Sequence, residues 1–176
     1  MQAERVTVAL LLLTIGWAAC AQTTWDEAAS RLRAASLAPE QVTAILERAR
    51  AHGLDPRVAG PWAARAAGLA QDGIPSAILG ERISQGLAKA VPVGRLESAL
   101  ADLDANVRWV NGLLDRITAR AERRDNPGQT ELALRAGEAA LRAGLSRDQL
   151  ERALGRRPVT LEQAVVFSQT ASSLLA

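Results

Sequence analysis

Between Pro92 and Arg124 the apolar residues fall at Val93, Leu96, Leu100, Leu103, Val107, Val110, Leu114, Ile117 and Ala121, in steps that alternate three and four. That period marks one face of a long amphipathic α-helix. No turn-forming cluster interrupts it before Asp125-Asn126-Pro127-Gly128. The spacing predicts one helix over about 92–124, roughly 50 Å long. A helix of that length outruns a small domain, so other segments must pack along its seam or leave part of it for a partner. With Val93 and Leu96 at heptad positions a and d, the flanks carry Glu97, Ala99, Asp104, Asn106, Asn111 and Leu113. These offer almost no opposite-charge pairs for a parallel dimer. The expected cover is therefore helices of the same chain, mainly those near 39–51 and 75–89.

Upstream of this stretch one device recurs: an apolar residue, then a proline or capping residue, then a helix. It appears at Leu37-Ala38-Pro39, Leu54-Asp55-Pro56, Ile74-Pro75 and Val91-Pro92, with the apolar residues 17, 20 and 17 apart. Proline suits a first helical turn because the amide it lacks would be unpaired there. A shift of 37 places Leu37 on Ile74, Val42 on Leu79, Leu46 on Ile83 and Leu54 on Val91. Each unit then reads as a helical hairpin, 39–51 with 56–71 and 75–89 with 92–124, stacked so that neighbours bury faces neither buries alone. Gly60-Pro61 should kink or split the second helix. Alanine and leucine dominate, aromatic residues are 3%, and tyrosine is absent, a balance that favours helix over sheet. The expectation is an all-α fold: antiparallel hairpins in a short α-solenoid-like array or bundle around the long helix, plus a smaller C-terminal helical part.

That C-terminal part follows the turn-rich segment Arg123–Gln129, read as a linker. Thr130 is the expected cap of its first helix. Ser146 with Gln149, and Thr160 with Gln163, have the spacing of capping boxes, as does Thr24 with Glu27 near the start. The last helix shows a face of Leu161, Val165, Ser168 and Ala171, and Leu174-Leu175 are expected to return to the core. The domain reading is 1–20 as a removed export signal, 22–124 as the hairpin domain and 129–176 as a C-terminal helical subdomain.

Residues 1–20 earn that reading by a short polar start with Arg5, an apolar run from Val6 to Ile15, then small residues. The run is too short for a membrane-spanning anchor. Two processing routes fit. Ala19-Cys20-Ala21 is an A-x-A site for cleavage before Gln22, whereas Trp17-Ala18-Ala19-Cys20 resembles a bacterial lipobox, with Trp17 in place of the usual Leu. The single cysteine of the chain stands where lipidation needs it, which favours Cys20 as a lipid attachment point.

Signals for chemistry are sparse. His52 is the lone histidine, at a helix end before Gly53, where it fits as a partner for free carbonyls. Metal sites of the His/Cys type are not expected, and no cofactor motif is present. Asp102 and Asp104 are two residues apart and point in different directions, and Glu97 and Asp104 are two turns apart, so neither set forms an acid/base pair. A net charge of +2 and the absence of aromatics among the basic residues argue against nucleic acid. Arg116, Arg120 and Arg124 recur every four residues; they suit a basic helix C-terminus, or a patch for an anionic surface. Lys89 fits the end of its helix, or a turn that touches a partner. Trp109, at heptad position c, is either covered by the C-terminal helices or left open as a contact residue. Trp109, Arg116, Arg120 and Lys89 are thus the candidate partner contacts. The functional expectation is an exported, non-enzymatic interaction or scaffold protein of the bacterial envelope, with envelope proteins as partners and membrane contact only through a lipid on Cys20. Alternatives are a carrier of an apolar ligand, or an enzyme accessory using carboxylates.

Overall fold

The computed structural model describes residues 24–155 and 159–175, with the side chains of Arg120 and Leu175 excepted. Cys20 and the export signal lie outside the described residues. Among those described, nine α-helices and no strands form an all-α fold: α1 (Trp25–Ala34), α2 (Pro39–Ala51), α3 (Ala59–Gln71), α4 (Ala77–Ala88), α5 (Val93–Ile117), α6 (Arg120–Asp125), α7 (Pro127–Arg142), α8 (Arg147–Leu154) and α9 (Leu161–Leu175).

A repeated corner sets the architecture. After α1, α2, α3, α4 and α7 one residue takes a left-handed conformation: Ser36, Gly53, Gly73, Ala90 and Gly144. The amide three places beyond each helix end then reaches back to the carbonyl five residues earlier, Leu37 to Leu32, Leu54 to Ala49, Ile74 to Leu69, Val91 to Gly86 and Leu145 to Ala140. The preceding amide closes the shorter bond, as from Gly73 to Ala70. This is the Schellman closure, which satisfies carbonyls a helix end leaves free and tucks in the following apolar side chain. The apolar member of the sequence device is that side chain, buried at Leu37 and Ile74 and half-buried at Leu54 and Val91.

The corners lay the helices in two rows. α1 packs on α3 and α3 on α5, while α2 packs on α4; α1 also meets α2, and α4 meets α5. Val42 and Leu46 of α2 and their partners at the 37-residue shift, Leu79 and Ile83 of α4, are all buried. Trp62 of α3 is the largest fully buried side chain. A 3-10 turn over Pro56–Val58 precedes α3, so the split near Gly60-Pro61 falls before Ala59 and leaves Pro61 in a first turn. Arg108 of α5 bonds Asp104 at 2.9 Å and also Asp72 at the end of α3, tying the two helices. Burial pushes the Asp104 carboxyl above the usual range, against the pull of Arg65.

Two expectations about the long helix need correction. First, it ends at Ile117 rather than near 124: Thr118 is extended, and the chain restarts at Arg120 as α6. The cause is tertiary and therefore invisible to periodicity. The Val159 amide bonds the Ile117 carbonyl, the Glu122 carboxylate accepts the Leu161 amide, and Arg123 reaches back to Asn111 and Asp115. Ala121, counted on the seam, is exposed. Second, the seam is covered by α4, α3 and α7, whereas α2 packs chiefly behind α4. Leu113, placed on a flank by the heptad, is also buried.

Of the C-terminal helices, α7 lies on that seam. α9 packs along α7, α7 on α5, and α6 and α8 flank α7. The segment read as a linker is helical apart from Asn126, with Pro127 opening α7. Thr130 therefore sits inside α7, its hydroxyl bonding the Asn126 and Arg123 carbonyls, instead of capping it. Both downstream capping boxes form, at Ser146–Gln149 and Thr160–Gln163. Leu161, Val165 and Ser168 are buried as spaced, but Leu174 is 82% exposed, because it lies about 120° around the helix from Ser168.

Candidate functional site

Three helices turn polar stripes toward one another above the core. On α4 the stripe is Glu81, Arg82 and Gln85; on α5 it is Asp102 and Asn106, with the core residue Leu103 as the floor between them; on α7 it is Arg135, Glu138 and Arg142. Spacings of three and four put Glu81 and Arg82 each beside Gln85, Asp102 and Leu103 each beside Asn106, and Glu138 between Arg135 and Arg142 on their helix surfaces. The stripes wall a cleft with two adjoining lobes, both lined by Arg82, Leu103, Glu138 and Arg142. One lobe, of about 210 Å³, ends at Arg135; the other, of about 370 Å³, ends at Arg147 at the start of α8.

Charge is managed differently at the two ends. Arg135 is saturated, bonding Glu81 at 2.6 and 2.8 Å and Glu131 at 2.9 and 2.7 Å. The bonds to Glu81 hold its guanidinium above the usual range, against burial, with Glu131 adding to the effect. Glu138, by contrast, is 6% exposed and has Arg82 at 3.6 Å and Arg142 at 3.4 Å. Both exceed the roughly 2.7–2.9 Å of a closed charge-assisted bond. Arg147 approaches the Ala105 carbonyl and Asn106 Oδ1 at 3.5 Å each. Its guanidinium also lies over the Trp109 ring, 5.7 Å from the centroid, a cation–π distance. The larger lobe thus holds three guanidiniums against two carboxylates, Glu138 and Asp102.

A scan of protein-family models, a search of curated proteins and a search of solved structures each return no match. Any reading of the site rests on its own geometry.

The candidate contacts from sequence divide accordingly. Trp109 is half-buried against the core beneath Arg147. Arg116 bonds Glu151 of α8 at 2.8 Å and the Gly112 carbonyl at 3.2 Å. Trp109 and Arg116 therefore both meet α8. Lys89 stands exposed at the corner between α4 and α5, as the residue that ends α4. The side chain of Arg120 lies outside the described residues. His52 Nε2 is 2.7 Å from the Leu87 carbonyl, joining the ends of α2 and α4. Among the described residues no group of His, Cys, Asp or Glu side chains could hold a metal ion, and no helix is long and apolar enough to cross a membrane.

Sequence reasoning missed Arg82, Glu138, Arg142 and Arg147. A signal existed for α7: Glu138 interrupts a face of Ala133, Leu134, Ala136 and Ala140, all buried. An acid on an apolar helix face needs a basic partner, and Arg142 one turn on supplies it.

Proposed function

We propose that this chain is an exported, non-enzymatic interaction or scaffold protein of the bacterial cell envelope, tethered to a membrane by a lipid on Cys20. The observation that carries the reading is the placement of the single cysteine, directly after an apolar run and small residues that have the form of an export signal. The fold supports it from another side. A hairpin stack spends its apolar faces on its own neighbours and offers a broad polar surface to others. The one histidine is engaged in joining two helix ends.

Mass spectrometry of the mature protein from its host tests the reading. A diacylglyceryl group on Cys20 and partition into detergent are expected, with both lost in Cys20→Ser. A mature chain beginning at Gln22 and free in the periplasm removes the tether and keeps export. A chain retained intact in the cytosol removes both.

A further inference from the structure

We propose that the larger lobe of the cleft, between Arg82, Arg142 and Arg147, binds a phosphate group.

Each arginine comes from a different helix, α4, α7 or α8, and all three line one crevice of about 370 Å³. Their held partners are few and distant: one Glu138 oxygen each for Arg82 and Arg142, at 3.6 and 3.4 Å, and two contacts at 3.5 Å for Arg147. Some arginines are closed tightly, as at Arg135 with Glu81 and Arg116 with Glu151; those of this lobe are not. A guanidinium carries five donors in a planar fork that matches oxyanions, so most donors in this lobe remain available. Guanidiniums arriving from three directions suit a tetrahedral group with several accepting oxygens better than a planar carboxylate, which one fork saturates. Charge agrees: three arginines less Glu138 and Asp102 leave a surplus of one positive charge, matched by a singly charged phosphodiester or a dihydrogen phosphate. Buried Glu138 stands beside Arg82 Nη2 and Arg142 Nε and keeps both guanidiniums at the lobe. Trp109 supports Arg147 from behind.

A phosphate could be free or part of a lipid headgroup, and soluble probes separate the two. The chain is purified from its host in a phosphate-free, uncharged detergent, labelled with 15N, and titrated by NMR with inorganic phosphate and with glycerophosphoglycerol, a headgroup diester. Saturable shifts are expected at the Nε–H groups of Arg82, Arg142 and Arg147 and at the Trp109 indole, with Kd roughly millimolar or tighter. Arg147→Gln leaves Glu138 paired and should weaken binding about tenfold. Arg142→Lys keeps a charge beside Glu138 but loses the fork, and should also weaken it. Tighter binding of the diester assigns a lipid headgroup; binding of inorganic phosphate alone assigns a free phosphate. No saturable shift with either probe overturns the proposal, as does binding that both variants retain unchanged.

Discussion

The helix corners allow a sharp test, because two of them put side chains where glycine belongs. Ser36 and Ala90 have φ of 63° and 50°, while Gly53 and Gly73 have 64° and 70°. The 37-residue shift pairs Ser36 with Gly73 and Gly53 with Ala90, so each repeat carries one glycine and one substitute. An L-residue in this region costs about 1–2 kcal/mol. Changing it to glycine also frees the unfolded chain, returning about 0.4–1 kcal/mol of that gain. Both Ser36 and Ala90 are exposed, so no packing is lost. Ala90→Gly should therefore raise stability by roughly 1 kcal/mol, and Ser36→Gly likewise, because the Ser76 hydroxyl bonds the backbone carbonyl of Ser36. The reverse changes, Gly53→Ala and Gly73→Ala, should lower it by a similar amount. A Cβ at either would meet nothing within 4 Å, which leaves the backbone as the cause. Urea unfolding followed by circular dichroism reads the midpoint at constant slope; in heat the shift is about 2–4 °C per kcal/mol for a chain of this size. A lower midpoint for Ala90→Gly, or no change for Gly73→Ala, would refute the reasoning.

Other perturbations follow from the packing. Leu46→Ala and Ile83→Ala should each cost about 2–5 kcal/mol, read by the same unfolding curves; small losses at both would mean that the 37-residue repeat does not mark core positions. Gly137→Ala gains about 1 kcal/mol of helix propensity, yet its Cβ would sit 2.7 Å from Val110 Cγ1. Val110 is buried and stiff at χ1, so overpacking of about 1–3 kcal/mol should win, and a stabilised variant would show that the α5–α7 crossing gives way. Asp55 accepts bonds from the Arg57 side chain and amide, which pull its carboxyl from 3.8 down to about 2. Its contribution to stability is present above the ordinary Asp value and lost as pH falls through about 2. NMR titration should place the Asp55 carboxyl there, and Asp55→Asn should flatten the acid limb of the stability curve below about pH 4; a normal titration would remove the claim.

The hairpin part of the fold was legible because its information is local. An apolar residue after each helix end, followed by Pro39, Pro56, Pro75 or Pro92, is read from a few neighbouring residues, and the helices appear where that device puts them. The break at Thr118 was not legible, since its cause lies about forty residues downstream at Val159 and Leu161. Periodicity reports which residues could share a face, and it carries on through a carbonyl that another segment has claimed. The cleft was hidden for a related reason. Arg82 and Arg147 each look like ordinary surface charge on their own helix, the signal at Glu138 points only to Arg142 of the same helix, and only the meeting of α4, α5, α7 and α8 sets them around one space. Trp109 was singled out, but its neighbour Arg147 belongs to a helix whose docking no local pattern foretells.

The seat of α7 on α5 also decides how far the stack can grow. In an open array of hairpins the outer face of the last unit is the template for the next, and identical chains can add there end to end. Here Val110, Leu113 and Leu114, on the helix that would receive another hairpin, are already buried, with α7 packed on α5 and α9 behind it. The C-terminal helices thus act as a terminator. They convert a pattern that could propagate into an object of fixed length, and they do so at the place where the long helix stops.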